Sequence, residues 1–489
     1  MQAQTVKLAK VVGWFAIMAS AISNEFGAGI NSVPTTVLGP YPGVGSLVPL
    51  AMIIAGIILL PKVFMFQGFA RVMNSSGGEY TWMSRGLHPR AGFYIQFLYY
   101  ISLMGAIGFV TYVFGSTLAS LLVGFGISNG AWFGTFAGHV IVGLLVIWTF
   151  VGLHLTGVRT YGILVEILFF FILAAAIIAI TIGLSTSSAV FSTDLSNKVF
   201  HGPIPSTHLP PFTYGAFLGA IGLLIFPYGG LTSAPMLGGE ARNAKKDMPK
   251  GIILAWLVVL ILYGLVVFAT FHAVSASNGY AIILSKHAFY ATVPGVLSLA
   301  VPRWVGDIFS IIVLIVIAKT VMPLLMGPSR VSFEWANDSI FPRVFGHTNR
   351  FKAPDVALII VAVMGSIFLV DASIVGVAIV AFRSFSMLAI ILFMGITVLV
   401  ISARKNKKEW EKSVTTISMI VAAVAGIIVS LVFIPSIITV PGVVIWLQPS
   451  FQTVLTLIVS GIIYEASRVY MKRKGVDLSK EIMNKIPPE

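Results

Sequence analysis

Two glycine-bearing stretches interrupt otherwise apolar runs. They are Ser23-Asn24-Glu25-Phe26-Gly27-Ala28-Gly29-Ile30 and Phe226-Pro227-Tyr228-Gly229-Gly230-Leu231-Thr232-Ser233. Glycine at Gly27, Gly29, Gly229 and Gly230 lets the backbone adopt unusual dihedrals and approach a ligand closely. A helix broken inside hydrocarbon exposes N–H and C=O groups that lipid cannot satisfy, so it persists only around a polar cavity or a ligand. A half-helix beginning near Gly29 presents unpaired N–H groups and the positive end of its dipole, which suits a carboxylate. The carbonyl ends before the breaks, near Ser23 to Phe26 and Phe226 to Tyr228, suit an ammonium group. The candidate ligand contacts are therefore Asn24, Glu25, Gly27, Ala28, Gly29, Phe226, Tyr228, Gly229 and Gly230. Phe226 and Tyr228 read equally as an aromatic lid and as apolar lining. Asn24 either bonds the ligand or pins the unwound backbone. Small residues also line helix contacts in membranes, but two breaks in corresponding halves favour a binding site of the kind found in secondary transporters.

Ionisable residues inside apolar runs are costly and are functional candidates by default. Glu25, Glu166, Lys319 and Arg383 are such residues. Glu25 and Lys319 are expected to pair, either as a proton-sensitive couple or as a static buried ion pair. Glu25 lies two residues before Gly27, so it also reads as a selector of cationic ligands. Arg383 reads as a carboxylate contact or an outer gate, with Glu166 and Asp371 as possible partners. Near the ends of the runs, Glu240, Arg242, Lys246 and Asp247, with Arg330 and Asp338, form either an inner-gate charge network or merely solvated charge.

The elements that carry these residues follow from composition. Of the residues, 57% are hydrophobic and 10% charged, with mean hydropathy +0.97, whereas soluble domains carry about 25% charged residues. Twelve apolar segments of spanning length are expected at about 11–38, 45–70, 91–124, 132–152, 157–184, 212–238, 251–275, 303–336, 355–371, 373–402, 414–435 and 443–470. Prolines and glycines punctuate the joins, as in Gly39-Pro40-Tyr41-Pro42-Gly43. The net charge of +14 collects in alternate short loops (Arg71, Arg85, Arg90; Arg159; Arg242, Lys245, Lys246, Lys250; Arg343, Arg350, Lys352; Arg404, Lys405, Lys407, Lys408), a topology signal rather than a nucleic-acid patch. The opposite loops hold little beyond Lys198, Lys286 and Arg303. This asymmetry puts both termini in the cytoplasm. Lys7 and Lys10 before Ala19-Ser20-Ala21 resemble a signal peptide, but the apolar run continues past that site, so a retained first segment is expected.

The same inventory excludes several classes. Cysteine is absent, which removes disulfide frameworks and thiolate metal sites. Asp194, His201 and His208 match no compact ligand spacing, so neither metal nor cofactor is expected. His88, His139, His154 and His272 are scattered singly, which disfavours a membrane-embedded enzyme. The chain has no phosphate-binding G-x-x-x-x-G-K-[ST] loop, which disfavours a primary pump.

Four motifs together resemble the amino acid–polyamine–organocation (APC) superfamily. Gly27-Ala28-Gly29-Ile30 is similar to its G-[SA]-G-I. Gly77-Gly78-Glu79-Tyr80-Thr81-Trp82, with Arg85, Gly86 and Gly92-Phe93, is similar to its GG-x-Y…RA…G-F. Glu240 to Lys250 resembles E-x-x-N-P-x-R-D-x-P, with Ala244 in place of the usual proline. Ser329-Arg330…Ala336-Asn337-Asp338…Phe341-Pro342 resembles the stretch that closes span eight. The resemblance implies an all-α membrane protein with the LeuT-like fold: five-helix repeats at 11–184 and, inverted, at 212–402, and two further helices at 403–470. An extracellular loop at 185–211 and cytoplasmic tails at 1–10 and 471–489 complete it. It also implies transport of amino acids or amines by alternating access, coupled to protons or run as exchange; a transporter-fold sensor is a further alternative. Relatives often carry a lysine in span five where sodium-coupled members hold sodium. That position falls near Ile172 here, and Lys319 is expected to replace the missing lysine from span eight.

Overall fold

The computed structural model describes residues 10–285 and 290–485, and at Asp371, Ser373, Ile374 and Val375 the helical backbone only. Lys7, Lys286 and the Asp371 side chain thus lie outside the described residues. Each of the twelve expected apolar segments falls on helix, and they are numbered here as segments one to twelve. Among the described residues, ten helices are long and apolar enough to cross a membrane. The remaining two segments are the broken segment one and the shorter Asp355–Val370. Segments nine and ten form one helical run, Asp355–Ser402. Within it, Gly376 packs on Phe109, Ile379 on Gly105, and Arg383 on Ser102 and Tyr99, so segment ten descends antiparallel to segment three (Pro89–Gly124).

Local chemistry sets the boundaries. Segment three starts at Pro89, whose missing N–H costs nothing in the first turn, and His88 accepts from Arg90 N as its cap. Thr135 and Thr213 cap segments four (Phe136–His154) and six (from Tyr214) in the same way. Segment five (Val158–Ser185) follows Gly157, whose φ of 99° suits glycine. Large apolar residues such as Phe170, Ile177, Ile261 and Leu431 face outward, exposed, as the outer surface of a lipid-embedded bundle requires.

Both interruptions are structural, and each is tighter than the glycine pattern suggests. Helix Trp14–Glu25 stops at Phe26 (ψ 85°) and Gly27 (φ −153°, ψ −135°), and Ala28–Thr36 resumes at once. Ala28 and Gly29 are therefore already helical. Segment six does not unwind to extended chain. Tyr214–Leu224 tightens into a 3₁₀ stretch, Phe226–Thr232, before Ser233–Met236. Such a stretch shifts hydrogen bonds from i−4 to i−3 and leaves carbonyls over.

The glycines let the broken segments touch. A Cβ on Gly27 would lie 2.1 Å from Thr320 Oγ1 of segment eight, and one on Gly230 would lie 2.4 Å from Glu25 N. One on Gly29 would lie 2.9 Å from Pro227 Cα. The packing role weighed against ligand binding is thus real at all three positions. Segment eight is itself jointed, with helices Arg303–Lys319 and Val321–Asn337 meeting at Thr320. Pro323 cannot donate to the Lys319 carbonyl four residues back, which loosens the helix at that joint.

Candidate functional site

The freed carbonyls of segment one meet a lysine. Gly27 N–H turns back to Glu25 O (3.0 Å), which leaves Ser23 O without its helical donor. Lys319 Nζ donates to Ser23 O at 2.7 Å and to Phe26 O at 3.1 Å, with the side chain 1% exposed. The expected Glu25–Lys319 ion pair is not among the described contacts. The break aims these carbonyls at segment eight and turns the Glu25 carboxylate the other way, toward the Leu231 N–H and Lys62.

The freed carbonyls of segment six meet an arginine. Gly229 O accepts from Arg383 Nη2 (3.2 Å), from Tyr99 OH (3.3 Å) and from Thr232 Oγ1 (2.9 Å). Gly230 O accepts from Asn24 Nδ2 at 3.2 Å, so Asn24 pins one interruption to the other. Arg383 Nη2 also donates to Tyr99 OH (2.6 Å), and its guanidinium lies 4.0 Å from the Tyr99 ring centre. Glu166 is not its partner: it lines a separate groove with Arg159, Arg242 and Val11–Ala16.

Between the two interruptions lies a cavity lined by Asn24, Glu25, Gly29, Phe226, Gly229, Gly230 and Arg383, together with Ala106, Val110, Pro227, Thr320 and Leu324. Its volume of about 20 Å³ holds roughly one water, so the bundle is closed around it. Phe226 caps it against Phe109, with ring centres 5.3 Å apart. One Glu25 carboxylate oxygen has no hydrogen-bond partner among the described residues. Three expected contacts lie off the lining: Gly27 spaces segment eight, Ala28 is buried beside it, and Tyr228 turns away. Tyr228 OH donates to Met52 O (3.1 Å), and its ring packs on Tyr263. In a 3₁₀ turn, residues 226 and 228 cannot face the same side, and Phe226 takes the cavity.

At the end of the bundle holding the 71–88 and 237–243 connections, Arg330 Nη2 donates to Glu240 Oε1 at 3.1 Å, both side chains buried. Glu240 O accepts from Val11 N and Val12 N (3.0 Å each), and Arg242 N donates to Val12 O (2.7 Å), so the N-terminal stretch straps this connection down. Asp338 does not join them. It takes Arg85 in a two-pronged pair (2.6 and 2.9 Å). Burial disfavours the Arg85 charge, yet the adjacent Asp338 raises the guanidinium pKa above its ordinary value. Asp247 accepts from Asn243 N, and Arg242 donates to Val11 O. In place of one network there are two separate buried pairs, while Arg242 joins the Val11 strap, Asp247 bonds the start of its own helix at Asn243, and Lys246 is exposed.

Residues 12–462 match the amino acid permease family. The chain belongs to that family. It is 26% identical over 415 residues to a branched-chain amino acid permease of Lactococcus lactis, covering 80% of this chain and 81% of the relative. It is 23% identical over 380 residues to an arginine/ornithine antiporter of Lactococcus lactis (74% and 73% covered). It is also 23% identical over 381 residues to an arginine/agmatine antiporter of Chlamydia pneumoniae (72% and 70% covered). The permease is thus a multi-pass membrane protein of an amino acid transporter family, not an enzyme.

The sequence reading missed Lys62. It is fully buried in segment two (Pro42–Ala70), where Glu79, Arg383 and Glu25 are the charges that act on it. Its presence within an apolar run was the available signal. Which way the helix turned it was not.

Proposed function

We propose that the permease is a secondary active transporter that moves amino acids across the cytoplasmic membrane by alternating access, coupled to protons and favouring cationic amino acids or polyamines. The observation that carries this reading is that Glu25, with an unpartnered carboxylate oxygen, and Arg383 line one buried cavity between two interrupted helices. An α-ammonium or cationic side chain meets Glu25. An α-carboxylate meets Arg383 and the free N–H groups at the start of Ala28–Thr36. Glu25 and Lys319 serve as proton-coupling groups, separately rather than as an ion pair. Loss of the Lys319 charge weakens the tie between segments one and eight and so biases the bundle between its two facings. Arg383 and the Glu240–Arg330 pair act as gates.

In this reading, 11–184 and 212–402 are inverted repeats, and 403–470 adds two further crossings. The basic loops and both tails face the cytoplasm, and 185–211 lies outside. A second reading, exchange without proton coupling, is favoured by relatives named arginine/ornithine and arginine/agmatine antiporters. Uptake of labelled amino acids and polyamines into proteoliposomes separates the two. Accumulation driven by an inward proton gradient supports symport. Uptake that requires preloaded substrate supports exchange, and binding without flux overturns both.

A further inference from the structure

Segments two and three and the connection between them carry buried polar side chains that the transport reading does not use. Lys62, Glu79 and Gln96 are each 0% exposed. Among the described residues, Lys62 Nζ and both Gln96 amide atoms have no hydrogen-bond partner, and the Glu79 carboxylate has none beyond its own backbone N–H. Leaving even one such group unpaired costs about 1–3 kcal/mol, and more when it is charged. Native proteins resolve such clusters with ordered water or ions.

Lys62 lies eight residues before the end of Pro42–Ala70, and Gln96 seven residues after the start of Pro89–Gly124. At 1.5 Å per residue, each is roughly 10–12 Å inside the bundle. Glu79 opens the short helix Glu79–Gly86 between those segments, just after Gly78 with φ 52°. Gln96 is one turn from Tyr99, whose hydroxyl holds Arg383. Electrostatically the group is continuous with the cavity. Glu79, Arg383 and Glu25 act on Lys62, whose ammonium otherwise rests 5.1 Å from the Phe66 ring centre. Lys62 and Arg383 act on Glu79, and Glu79 and Arg383 act on Tyr99. Glu25 faces Lys62, the Leu231 N–H, Tyr228 and Tyr263.

We infer that Lys62 and Glu79 line a hydrated proton site that connects Glu25 to the Glu240–Arg330 end of the bundle by a route separate from the substrate's. The Lys62 ammonium gives a proton to the Glu79 carboxylate, which passes one on to solvent, and the Glu25 carboxyl reprotonates the Lys62 amine through water. Glu25 is left ionised, and Lys62 returns to its starting state. The substrate leaves only when the Glu240–Arg330 pair and the Val11–Val12 strap open; the proton does not wait for them. Burial, opposed by Lys62, pushes the Glu79 carboxyl up to about 7, which suits a group that exchanges protons near neutrality.

The inference rests on the proton-coupled reading for its purpose but not for its test. In purified protein, infrared difference spectra between acidic and neutral pH should contain a carboxylic C=O band that shifts promptly in D₂O and is absent from the near-isosteric Glu79→Gln. Lack of that band, or a band that does not shift, overturns the hydrated site. In proteoliposomes, Glu79→Gln and Lys62→Met should lower gradient-driven accumulation by about a hundredfold, the lower end for losing a proton-transfer group. Substrate exchange at equal pH should persist, since neither residue lines the cavity. Unchanged gradient-driven accumulation in Glu79→Gln overturns the route. If the wild-type protein exchanges substrate without responding to a gradient, the coupling reading fails, and the infrared band alone decides the site.

Discussion

Lys319 Nζ lies 2.7 Å from the carbonyl oxygen of Ser23, two residues before Glu25. A cation from segment eight thus satisfies backbone that the break in segment one leaves bare. Lys319→Ala removes the donor from two buried carbonyls, so it should destabilise the protein by about 2–3 kcal/mol and abolish gradient-driven uptake. Detergent thermal unfolding checks the first outcome and proteoliposome uptake the second. Full gradient-driven uptake in Lys319→Ala would remove the residue from coupling.

Glu25→Gln keeps the shape of the side chain and removes the charge that faces the cavity. Cationic substrates should lose about tenfold in affinity relative to neutral ones, the scale of one charge-assisted hydrogen bond. Competition of arginine, lysine and leucine against a labelled substrate measures the ratio. An unaltered cationic preference would assign selection to other groups.

The Glu240–Arg330 pair should behave as a latch. Glu240→Gln leaves a buried guanidinium without its counter-charge, a loss of about 3–5 kcal/mol for the closed arrangement. The chain has no cysteine, so Thr320→Cys reports access to the cavity without background. Labelling of that cysteine by a membrane-impermeant maleimide applied from the Glu240–Arg330 side should rise several-fold when Glu240→Gln is added. No rise would mean that the pair braces the fold without gating it.

Glu79 predicts a pH dependence with a definite sign. Burial raises its carboxyl from the ordinary 4.5 to about 7, with Lys62 opposing. Within that window the folded protein holds a proton that the unfolded chain has lost. The protonated form therefore supports folding at the acid end, and that support fades as pH rises toward 7. The wild-type unfolding temperature in detergent should fall across this window more steeply than that of Glu79→Gln. Parallel pH profiles would show that Glu79 is ionised throughout.

Part of the candidate site was legible because backbone chemistry leaves local marks. Gly27, Gly29, Gly229 and Gly230 announced the interruptions, and Asn24, Glu25, Phe226 and Arg383 line the cavity between them. Tyr228 could not be placed, because the side it faces depends on whether segment six unwinds or tightens into a 3₁₀ turn. Lys62 was passed over for a related reason. A lysine near the end of an apolar segment can reach toward the interface or turn inward, and helix rotation chooses between them.

The sequence by itself determined the helices, their interruptions and the residues that carry charge into the bundle. Length and hydropathy decide what can lie in lipid, and glycine and proline decide where backbone bonds fail. Only the tertiary structure decided which charge meets which carbonyl. Lys319 and Ser23 are 296 positions apart, and their meeting depends on how far segment one slides along segment eight. That register is set where Gly27, lacking a side chain, lets Thr320 lie against its backbone. The same close approach of segment one to segment six at Gly230 turns Glu25 away from Lys319 and toward Lys62.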